Sequence, residues 1–191
     1  KTNVASFELI PWVLGKCQNI SEGEKLISGI NLSDVSFSSE YPASPLHWLL
    51  SDRDRSLVIE STDCGLQIYH NPVGVLTNNP TFDWHVTNLN EYLYVTPFSP
   101  KETNWGDLKL NALGIGAGTL GIPGDFASVS RFVRIAYIRS HMPEIKGDAQ
   151  SITQFFHMLD YVKMVKGGVL TDEGLLDSTT YSSCMDQEKG I

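Results

Sequence analysis

The sequence predicts a protein of the α+β class, in which helices surround an antiparallel sheet. Short apolar runs separated by turns of four or five residues occupy the region from 46 to 77, and turns of this length join antiparallel neighbours. On both sides of that region, apolar residues recur every three or four positions, which is the period of an amphipathic helix. The 191 residues, 41% of them hydrophobic and 19% charged, suffice for one ordinary globular core.

Two helices are predicted before the sheet. The segment from Val4 to Leu14 has the apolar content of a buried helix, and Pro11 predicts a kink or a late start within it. Ser21 and Glu24 have the spacing of a capping box, which predicts a second helix. The inward positions of this second helix are predicted to be Leu26, Ile27 and Ile30.

The predicted sheet is a meander that ends in a polar turn and a helix. Pro80 suits the start of that helix, because a first helical turn leaves the backbone N–H of its first residue unpaired anyway. The four predicted strands are Leu46 to Ser51, Leu57 to Ser61, Leu66 to His70 and Val75 to Thr77. The apolar face of the helix is predicted to contain Phe82, Val86, Leu89 and Leu93.

Asn78 and Asn79 lie in this turn, between two predicted rigid elements. Such a junction can hold a side-chain amide at a fixed point, as the stabilisation of an oxyanion requires. Asparagine is also a common turn former, because it tolerates left-handed backbone and bonds its own loop. The local pattern leaves both interpretations open.

The C-terminal half is predicted to contain an irregular excursion followed by a strand, a glycine-rich loop and two helices. Asp125 or Ser128 is expected to cap the first of these helices, which ends at Met142 before Pro143. Asp148 is expected to begin the second. The apolar face of this last helix is predicted to be Ile152, Phe155, Phe156, Leu159 and Val162. The remaining predicted segments are the excursion Tyr94 to Asp107, the strand Leu108 to Leu113 and a β-rich end from Thr179 to Met185.

Charge and motif spacing argue against several classes of function. A formal net charge of −8 disfavours nucleic acid or an anionic membrane surface as the main partner. The five histidines do not have the spacing of metal ligands, so we expect no metal. Gly116, Gly118 and Gly121 match the dinucleotide fingerprint, but Pro123 follows before any helix can begin, so we expect no nucleotide cofactor. These glycines instead suit a loop whose backbone passes close to a ligand or to a packed neighbour.

Two further features are candidates for a functional site. Arg131 lies in the first turns of a predicted helix, where the helix dipole disfavours a cation, so another interaction is expected to hold it there. Structural pairing of Arg131 remains an alternative, and Arg134 is predicted to be an ordinary salt-bridged residue. Phe37 and Tyr41 lie in the Ser- and Pro-rich loop from Asp34 to Pro45, either as a substrate wall or as anchors of the loop to the core.

Four segments of the chain resemble the choloylglycine hydrolase family, which contains conjugated bile-salt hydrolases and penicillin V acylases. They are GVLTNNPTFDWHVTNLNEYL from Gly74, GIGAGTLGIPGDFASVSRFVR from Gly114, PLHWLLSD from Pro45 and TTYSSCMDQEKGI from Thr179. The resemblance runs in register along essentially the whole chain. It implies part of an αββα N-terminal-nucleophile hydrolase sandwich, with residues 1–191 an incomplete portion of a single domain.

The resemblance also implies roles for individual residues. Asn78 matches the asparagine that contributes to the family's oxyanion hole, and Arg131 matches the arginine that keeps the nucleophilic cysteine as a thiolate. Phe37, Tyr41 and Thr77 are expected to contact the substrate. The excursion from Tyr94 matches an assembly loop, so a homotetramer is implied, with Phe98 and Trp105 exposed.

Enzymes of the family begin, after processing, with a cysteine whose own α-amine is the base, whereas this chain begins with Lys1. Cys17, Cys64 and Cys184 have no free α-amine, so the nucleophile is expected in a preceding segment and the isolated chain is expected to be inactive. Three widely spaced cysteines, an odd number, favour a reducing cytoplasm. The resemblance to the bile-salt branch of the family implies an intestinal bacterium as the source.

The implied reaction is hydrolysis of the amide bond of glycine- or taurine-conjugated bile salts. Penicillin V acylase activity is one alternative, and a non-catalytic ligand-binding or assembly module is another. The length of the excursion and the FDWH sequence favour bile salts.

Overall fold

The computed structural model describes residues 1–187 and 189, which form two compact units. The first unit contains Lys1–Asp83 together with the described residues from Met185 onward, and the second contains Trp84–Cys184. Helices and antiparallel sheets occur together, which confirms the predicted α+β class. Glu188, Gly190 and Ile191, which end the last of the resembling segments, lie outside the described residues.

The first unit begins with two short strands and two helices: β1 (Thr2–Ala5), α1 (Leu9–Leu14), α2 (Ile20–Ser28) and β2 (Ile30–Ser33). β1 pairs with β2 in parallel, with Thr2 opposite Ile30. The predicted late start of the first helix is therefore confirmed, whereas a helix from Val4 is wrong. Val4 becomes a strand residue because its backbone finds a partner far along the chain.

The capping box predicted at Ser21 and Glu24 is wrong. The side chain of Asn19 accepts a hydrogen bond from the backbone N–H of Glu22 at 3.0 Å, and the Glu22 carboxylate accepts one from the N–H of Gln18 at 3.0 Å. Asn19 and Glu22 have the same spacing as the predicted pair, so α2 begins earlier than expected. Of the predicted inward positions, Ile27 is buried and Leu26 is half-buried on α2, whereas Ile30 is buried as the first residue of β2 and not on the helix.

The sheet of the first unit contains β3 (His47–Ser51), β4 (Ser56–Thr62) and β5 (Gly65–His70), with β4 in the centre and antiparallel to both neighbours. The first three predicted strands are thus confirmed. The fourth is wrong, because Val75–Thr77 is irregular in the described structure. A buried side chain rather than a strand partner binds the backbone of that segment, as shown below.

Both faces of β4 are buried, and they contact different parts of the unit. Leu57 and Ile59 point to one face and join the core cluster beneath α1 and α2. Val58 and Glu60 point to the other face, because successive strand residues alternate. The remaining buried members of the core cluster are Val4, Leu9, Val13, Ile20, Ile27 and Ile30.

Shortening Ile59 to valine is expected to lower the free energy of unfolding by about 1 kcal/mol, since the removal of a buried methyl group leaves a small cavity. Ile59 is 1% exposed, whereas Ile10 on α1 is 57% exposed and provides the same chemical change at the surface. Urea denaturation of Ile59→Val and Ile10→Val measures the difference. Equal losses in the two variants would contradict the assignment of Ile59 to the core.

The second unit contains most of α3 (Phe82–Asn88), which begins at Phe82 rather than at the predicted Pro80. A 3₁₀ turn, Leu89–Tyr92, follows at once. Leu93 is 83% exposed, so its predicted place on the apolar face is wrong. The tighter 3₁₀ turn changes the angle between successive residues and rotates Leu93 out of the stripe. Further along, the buried rings of His85 and Phe132 stack with centroids 4.5 Å apart.

The rest of the second unit is built on α4 (Ser128–His141), which is near its predicted bounds, and on α5 (Asp148–Asp160). α5 begins at the predicted residue but ends before Val162, which was predicted to lie on it. The excursion after Tyr94 is largely irregular, with exposed Phe98 and Trp105 as expected. Its end forms a hairpin of β6 (Thr103–Trp105) and β7 (Leu108–Leu110), so the predicted strand is shorter than Leu108 to Leu113.

Two other predictions for this unit are wrong. Ile152, which was predicted to lie on the apolar face of α5, is exposed. Met158, which was not predicted to do so, is buried instead. The predicted β-rich segment Thr179 to Met185 contains no strand, although the structure describes all of it. The last hairpin lies earlier, between β8 (Val169–Leu170) and β9 (Leu176–Asp177). None of the helices in the described part of the chain is long and apolar enough to cross a membrane.

Candidate functional site

The turn that carries Asn78 lies in the first unit and is held at its start by a buried asparagine. The side-chain Nδ2 of Asn71 donates to the carbonyl oxygen of Val75 at 3.0 Å, and its Oδ1 accepts from the N–H of Gly74 at 2.7 Å. Asn71 itself is buried. These two bonds define the path of the chain as it leaves β5.

The end of the same turn is held by a buried glutamate. The Glu60 carboxylate accepts a hydrogen bond from the N–H of Phe82, the first residue of α3, at 3.0 Å. Glu60 is only 6% exposed, and Phe82 is buried beside the ring of Tyr69, with ring centroids 5.9 Å apart. The first turn of a helix has unpaired N–H groups, and the carboxylate satisfies one of them.

Thr77 and Asn78 therefore lie together in a short irregular segment whose two ends are attached to buried side chains. Asn78 and Asn79 are exposed, whereas Thr77 is half-buried. A side-chain amide in this position can donate a hydrogen bond to a bound molecule while its backbone stays in place.

Arg131 belongs to the second unit and lies in the first turn of α4. Its Nε donates to the carbonyl oxygen of Phe126 at 3.1 Å, and the residue is half-buried. Burial lowers the pKa of Arg131, the charge of Arg134 lowers it further, and Asp177 opposes both effects. Arginine stays charged at neutral pH even so, and Arg131 therefore places a partly desolvated positive charge at the start of α4.

Arg134 differs from its predicted role as an ordinary salt-bridged residue. It is 5% exposed, and its guanidinium donates to three backbone carbonyl oxygens, those of Pro123 at 2.8 Å, Asp125 at 2.6 Å and Tyr161 at 3.1 Å. Arginine suits this place because its planar head carries several donors in a fixed arrangement. The loop before α4 and the end of α5 are thus held by one side chain.

The N-cap residue of α4 is Ala127, which makes no side-chain cap hydrogen bond, so the predicted cap at Asp125 or Ser128 is wrong. The residues around the start of the helix are instead bound by Asp125. Its carboxylate accepts hydrogen bonds from the hydroxyl of Ser130 at 2.7 Å and from the N–H of Ala127 at 2.9 Å. The hydrogen bond from Ser130 is the main reason that the pKa of Asp125 lies below its ordinary value of 3.8, and the hydrogen bond from Ala127 adds to it.

Because the folded state lowers this pKa, the charge of Asp125 stabilises the fold above the unfolded-state pKa, and this contribution is lost as pH falls through the folded-state value. Asp125→Asn keeps an acceptor oxygen but removes the charge. We expect the variant to be less stable than the wild type at pH 7, and the difference to shrink as the pH falls through the folded-state pKa. Urea denaturation across this pH range checks this, and a difference independent of pH would contradict it.

The glycine-rich loop packs against the chain of its own unit. The N–H of Thr96 donates to the carbonyl oxygen of Gly118 at 3.0 Å, and a side chain at Gly118 would collide with the backbone of Phe98. Gly121 has a φ of 101° and lies against the hydroxyl of Tyr94. A packed neighbour is therefore present at Gly118 and Gly121, whereas Gly116 has open space around it and a φ of 88°.

Phe37 and Tyr41 form an aromatic cluster with Phe7 in the first unit. The ring centroids of Phe7 and Phe37 are 5.2 Å apart, and those of Phe37 and Tyr41 are 6.5 Å apart, both in edge-to-face geometry. Phe37 is 68% and Tyr41 64% exposed, so these rings do not anchor the loop by burial in the core. Both side chains remain exposed outside these ring contacts.

The structure thus brings Thr77 together with Asn78, and Phe37 together with Tyr41, in the first unit, while Arg131 belongs to the second. Sequence reasoning missed Glu60, Asn71 and the true role of Arg134. A signal existed for the first, since a charged residue in the apolar strand SLVIEST requires a buried partner. Another existed for Asn71, because NPVG is a turn that its side chain can close.

Metal and thiol chemistry find little support in the described residues. Among them, no three His, Cys, Asp or Glu side chains lie close enough together to hold a metal ion. Cys17, Cys64 and Cys184 are free cysteines. Burial and the nearby Glu22 raise the pKa of the Cys17 thiol, which favours the unreactive protonated form.

Comparisons with known proteins give a consistent relationship. The family of linear amide C-N hydrolases, choloylglycine hydrolase family, matches residues 1–191. The bile salt hydrolase/transferase of Lactiplantibacillus plantarum is 44% identical over 191 residues, which is 100% of this chain and 59% of that protein. The bile salt hydrolase/transferase of Clostridium perfringens is 42% identical over 192 residues, which is 100% of this chain and 58% of that protein.

Solved structures show the same relationship. A variant of the conjugated bile acid hydrolase from Clostridium perfringens superposes with a TM-score of 0.90 at 43% identity, covering 100% of this chain and 58% of that one. The penicillin V acylase from Agrobacterium tumefaciens has a TM-score of 0.64 at 23% identity, covering 91% and 46%, and is similar in fold alone. These matches confirm the predicted N-terminal-nucleophile hydrolase fold.

The chain spans somewhat less than three fifths of the length of the curated relatives described above. Over its whole length it nevertheless matches one family, and the resemblance first seen in the turn around Asn78 is confirmed. The chain belongs to the choloylglycine hydrolase family of linear amide C-N hydrolases.

Proposed function

We propose that the protein containing this chain hydrolyses the amide bond of glycine- or taurine-conjugated bile salts. The observation that carries the proposal is the rigidly bracketed turn of Asn78 in a chain that matches an amide hydrolase family along its whole length. The names of the two bacterial relatives, bile salt hydrolase/transferase, support the choice of substrate.

The proposed reaction begins with attack of a cysteine thiolate on the amide carbonyl. A tetrahedral oxyanion forms and accepts a hydrogen bond from the Asn78 amide. The C–N bond then breaks to leave a thioester, and the amine departs with the proton that the α-amine of the cysteine took from the thiol. Water cleaves the thioester, which releases the acid and restores the thiol. We place the nucleophilic cysteine in a part of the protein outside these 191 residues. The raised pKa of Cys17 supports this placement, because that thiol is a poor nucleophile.

Arg131 is proposed to keep the nucleophile as a thiolate through its positive charge. Its hydrogen bond to the carbonyl of Phe126 fixes the direction of the guanidinium at the start of α4. Half-burial supports the role, because a charge acts more strongly where water screens it less.

Phe37, Tyr41 and Thr77 are proposed to contact the substrate. The exposed aromatic side chains of Phe37 and Tyr41 suit contact with the apolar surface of a steroid, and Thr77 lies directly beside Asn78 in the turn. Removal of both rings without any change in the KM for a conjugated bile salt would contradict the contact with the steroid.

We further propose that the two units are parts of one domain and that the protein forms a homotetramer in the cytoplasm of a bacterium. The continuous family match over residues 1–191 supports the single domain. Exposed Phe98 and Trp105 in the excursion support a contact between subunits, and the three free cysteines fit a reducing compartment. The mass in solution tests the oligomer, and a monomer would contradict it.

The function is tested by measuring amine release from glycocholate, taurocholate and penicillin V with the full-length protein. Turnover of either bile salt above that of penicillin V is the expected result, and the isolated 191 residues are expected to cleave none of the three. Faster cleavage of penicillin V would favour the acylase alternative. A folded full-length protein that binds a conjugate without cleaving it would favour the non-catalytic module.

A further inference from the structure

An oxyanion donor must be in place before the reaction begins, because moving it during the reaction would cost part of its benefit. Asn78 occupies an exposed and irregular segment between β5 and α3, where the described backbone has no strand partner. Such a segment needs other attachments if its amide is to keep one position.

One attachment is the hydrogen bond between Glu60 and the N–H of Phe82. Glu60 is a residue of the central strand β4, where His47 of β3 and Gln67 of β5 lie opposite it. A strand that is paired on both sides moves little. The carboxylate therefore attaches the first residue of α3 to the most constrained strand of the unit.

The other attachment passes through Asn71 to the first residue of the same strand. The N–H of Asn71 donates to the carbonyl oxygen of Ser56 at 2.9 Å, and the Ser56 hydroxyl donates back to the carbonyl oxygen of Asn71 at 3.2 Å. The Asn71 side chain then binds the backbone of Gly74 and Val75. Both ends of the turn are thus attached to β4, the first end through Ser56 and the second through Glu60.

We propose that Glu60 and Asn71 are positioning residues that hold the Asn78 amide in its reactive place by fixing both ends of the turn to β4. This inference rests on the proposed function of the site. Neither side chain needs to touch the substrate for this role. Their loss should therefore lower kcat and leave KM nearly unchanged, since the interaction affected forms in the transition state.

The conservative variant separates the hydrogen bond from the charge. Glu60→Gln keeps an acceptor oxygen at the same reach and is expected to retain kcat within about threefold. Glu60→Met has a similar length without an acceptor and is expected to lower kcat by about 10- to 100-fold, as displacement of a reacting group by an ångström can do. Asn71→Asp keeps the acceptor for Gly74 and loses the donor for Val75. It is expected to lower kcat by a similar factor.

The decisive measurement is a double-mutant cycle in the full-length enzyme, with kcat and KM for glycocholate measured in four proteins: the wild type, Glu60→Met, Asn78→Ala and the double variant. If Glu60 acts through the amide of Asn78, Glu60→Met should cost nothing further once that amide is gone. Thermal unfolding of each protein confirms that it is folded, and Asn71→Asp in the same cycle replaces Glu60→Met if that variant fails to fold.

Several outcomes would overturn the inference. They are an equal loss from Glu60→Met in both backgrounds, a wild-type kcat in Glu60→Met, a loss confined to KM, and an active enzyme that does not respond to Asn78→Ala. Failure of the proposed function is distinguishable from these, because the wild type would then release no amine from a conjugate before any variant is made.

Discussion

Replacement of Asn78 by alanine is expected to lower kcat for conjugated bile salts by about 100- to 1000-fold in the full-length enzyme, the usual effect of removing one oxyanion donor. The free energy of unfolding should remain almost unchanged, because the side chain is exposed. The backbone of the turn depends instead on Asn71 and Glu60, which the substitution leaves in place. Steady-state kinetics and urea denaturation of the same preparation measure the two effects.

Asn79→Ala is the matched control, since Asn79 is the same residue type, is also exposed and lies next in the chain. It is expected to keep kcat within about threefold. A large loss from Asn79→Ala with little from Asn78→Ala would transfer the oxyanion role to the neighbour. Similar losses of kcat and stability in Asn78→Ala would support the simpler interpretation of this asparagine as a turn former.

Replacement of Arg134 by methionine is expected to lower the free energy of unfolding by about 3–5 kcal/mol. The guanidinium donates to the carbonyl oxygens of Pro123, Asp125 and Tyr161, and methionine fills similar space without any donor. The partly buried carbonyls then lose a charged donor, and water reaches them poorly because Arg134 is itself buried. Urea denaturation of the full-length protein provides the measurement.

Arg139→Met provides the control for this change, because Arg139 lies on the same helix α4 but is exposed. Its loss is expected to change the free energy of unfolding by no more than about 0.5 kcal/mol. Equal effects of the two substitutions would mean that the carbonyl cluster contributes little and that Arg134 acts mainly through the net charge.

The parts of the fold that depend on neighbouring residues were predictable. The strands β3, β4 and β5 follow from short apolar runs joined by tight turns, and α4 and α5 follow from apolar residues at helical spacing. Two of the errors come from hydrogen-bond partners that the local sequence pattern does not show. Val4 pairs with Leu32 of a strand that follows two helices, so its helical pattern was overridden. Val75 has its carbonyl bound by a side chain, so its strand-like composition led to no strand.

The candidate site was likewise predictable from the sequence only in part. Asn78 and Arg131 became candidates through the family resemblance, because the local pattern by itself left a structural interpretation of each residue open. The positions of these residues depend on buried groups that the sequence places far away, since Glu60 is 22 residues from Phe82 and Arg134 is 27 residues from Tyr161. No periodic pattern records such a bond.

The sequence by itself therefore determined the class of the fold, most of its local elements, the family resemblance and the residues at which chemistry is proposed. Only the tertiary structure decided what holds those residues, because the hydrogen bonds of Glu60, Asn71 and Arg134 end on backbone groups. Every residue except proline has the same N–H and C=O, so a backbone partner leaves no trace in the sequence and is chosen only when the chain is folded.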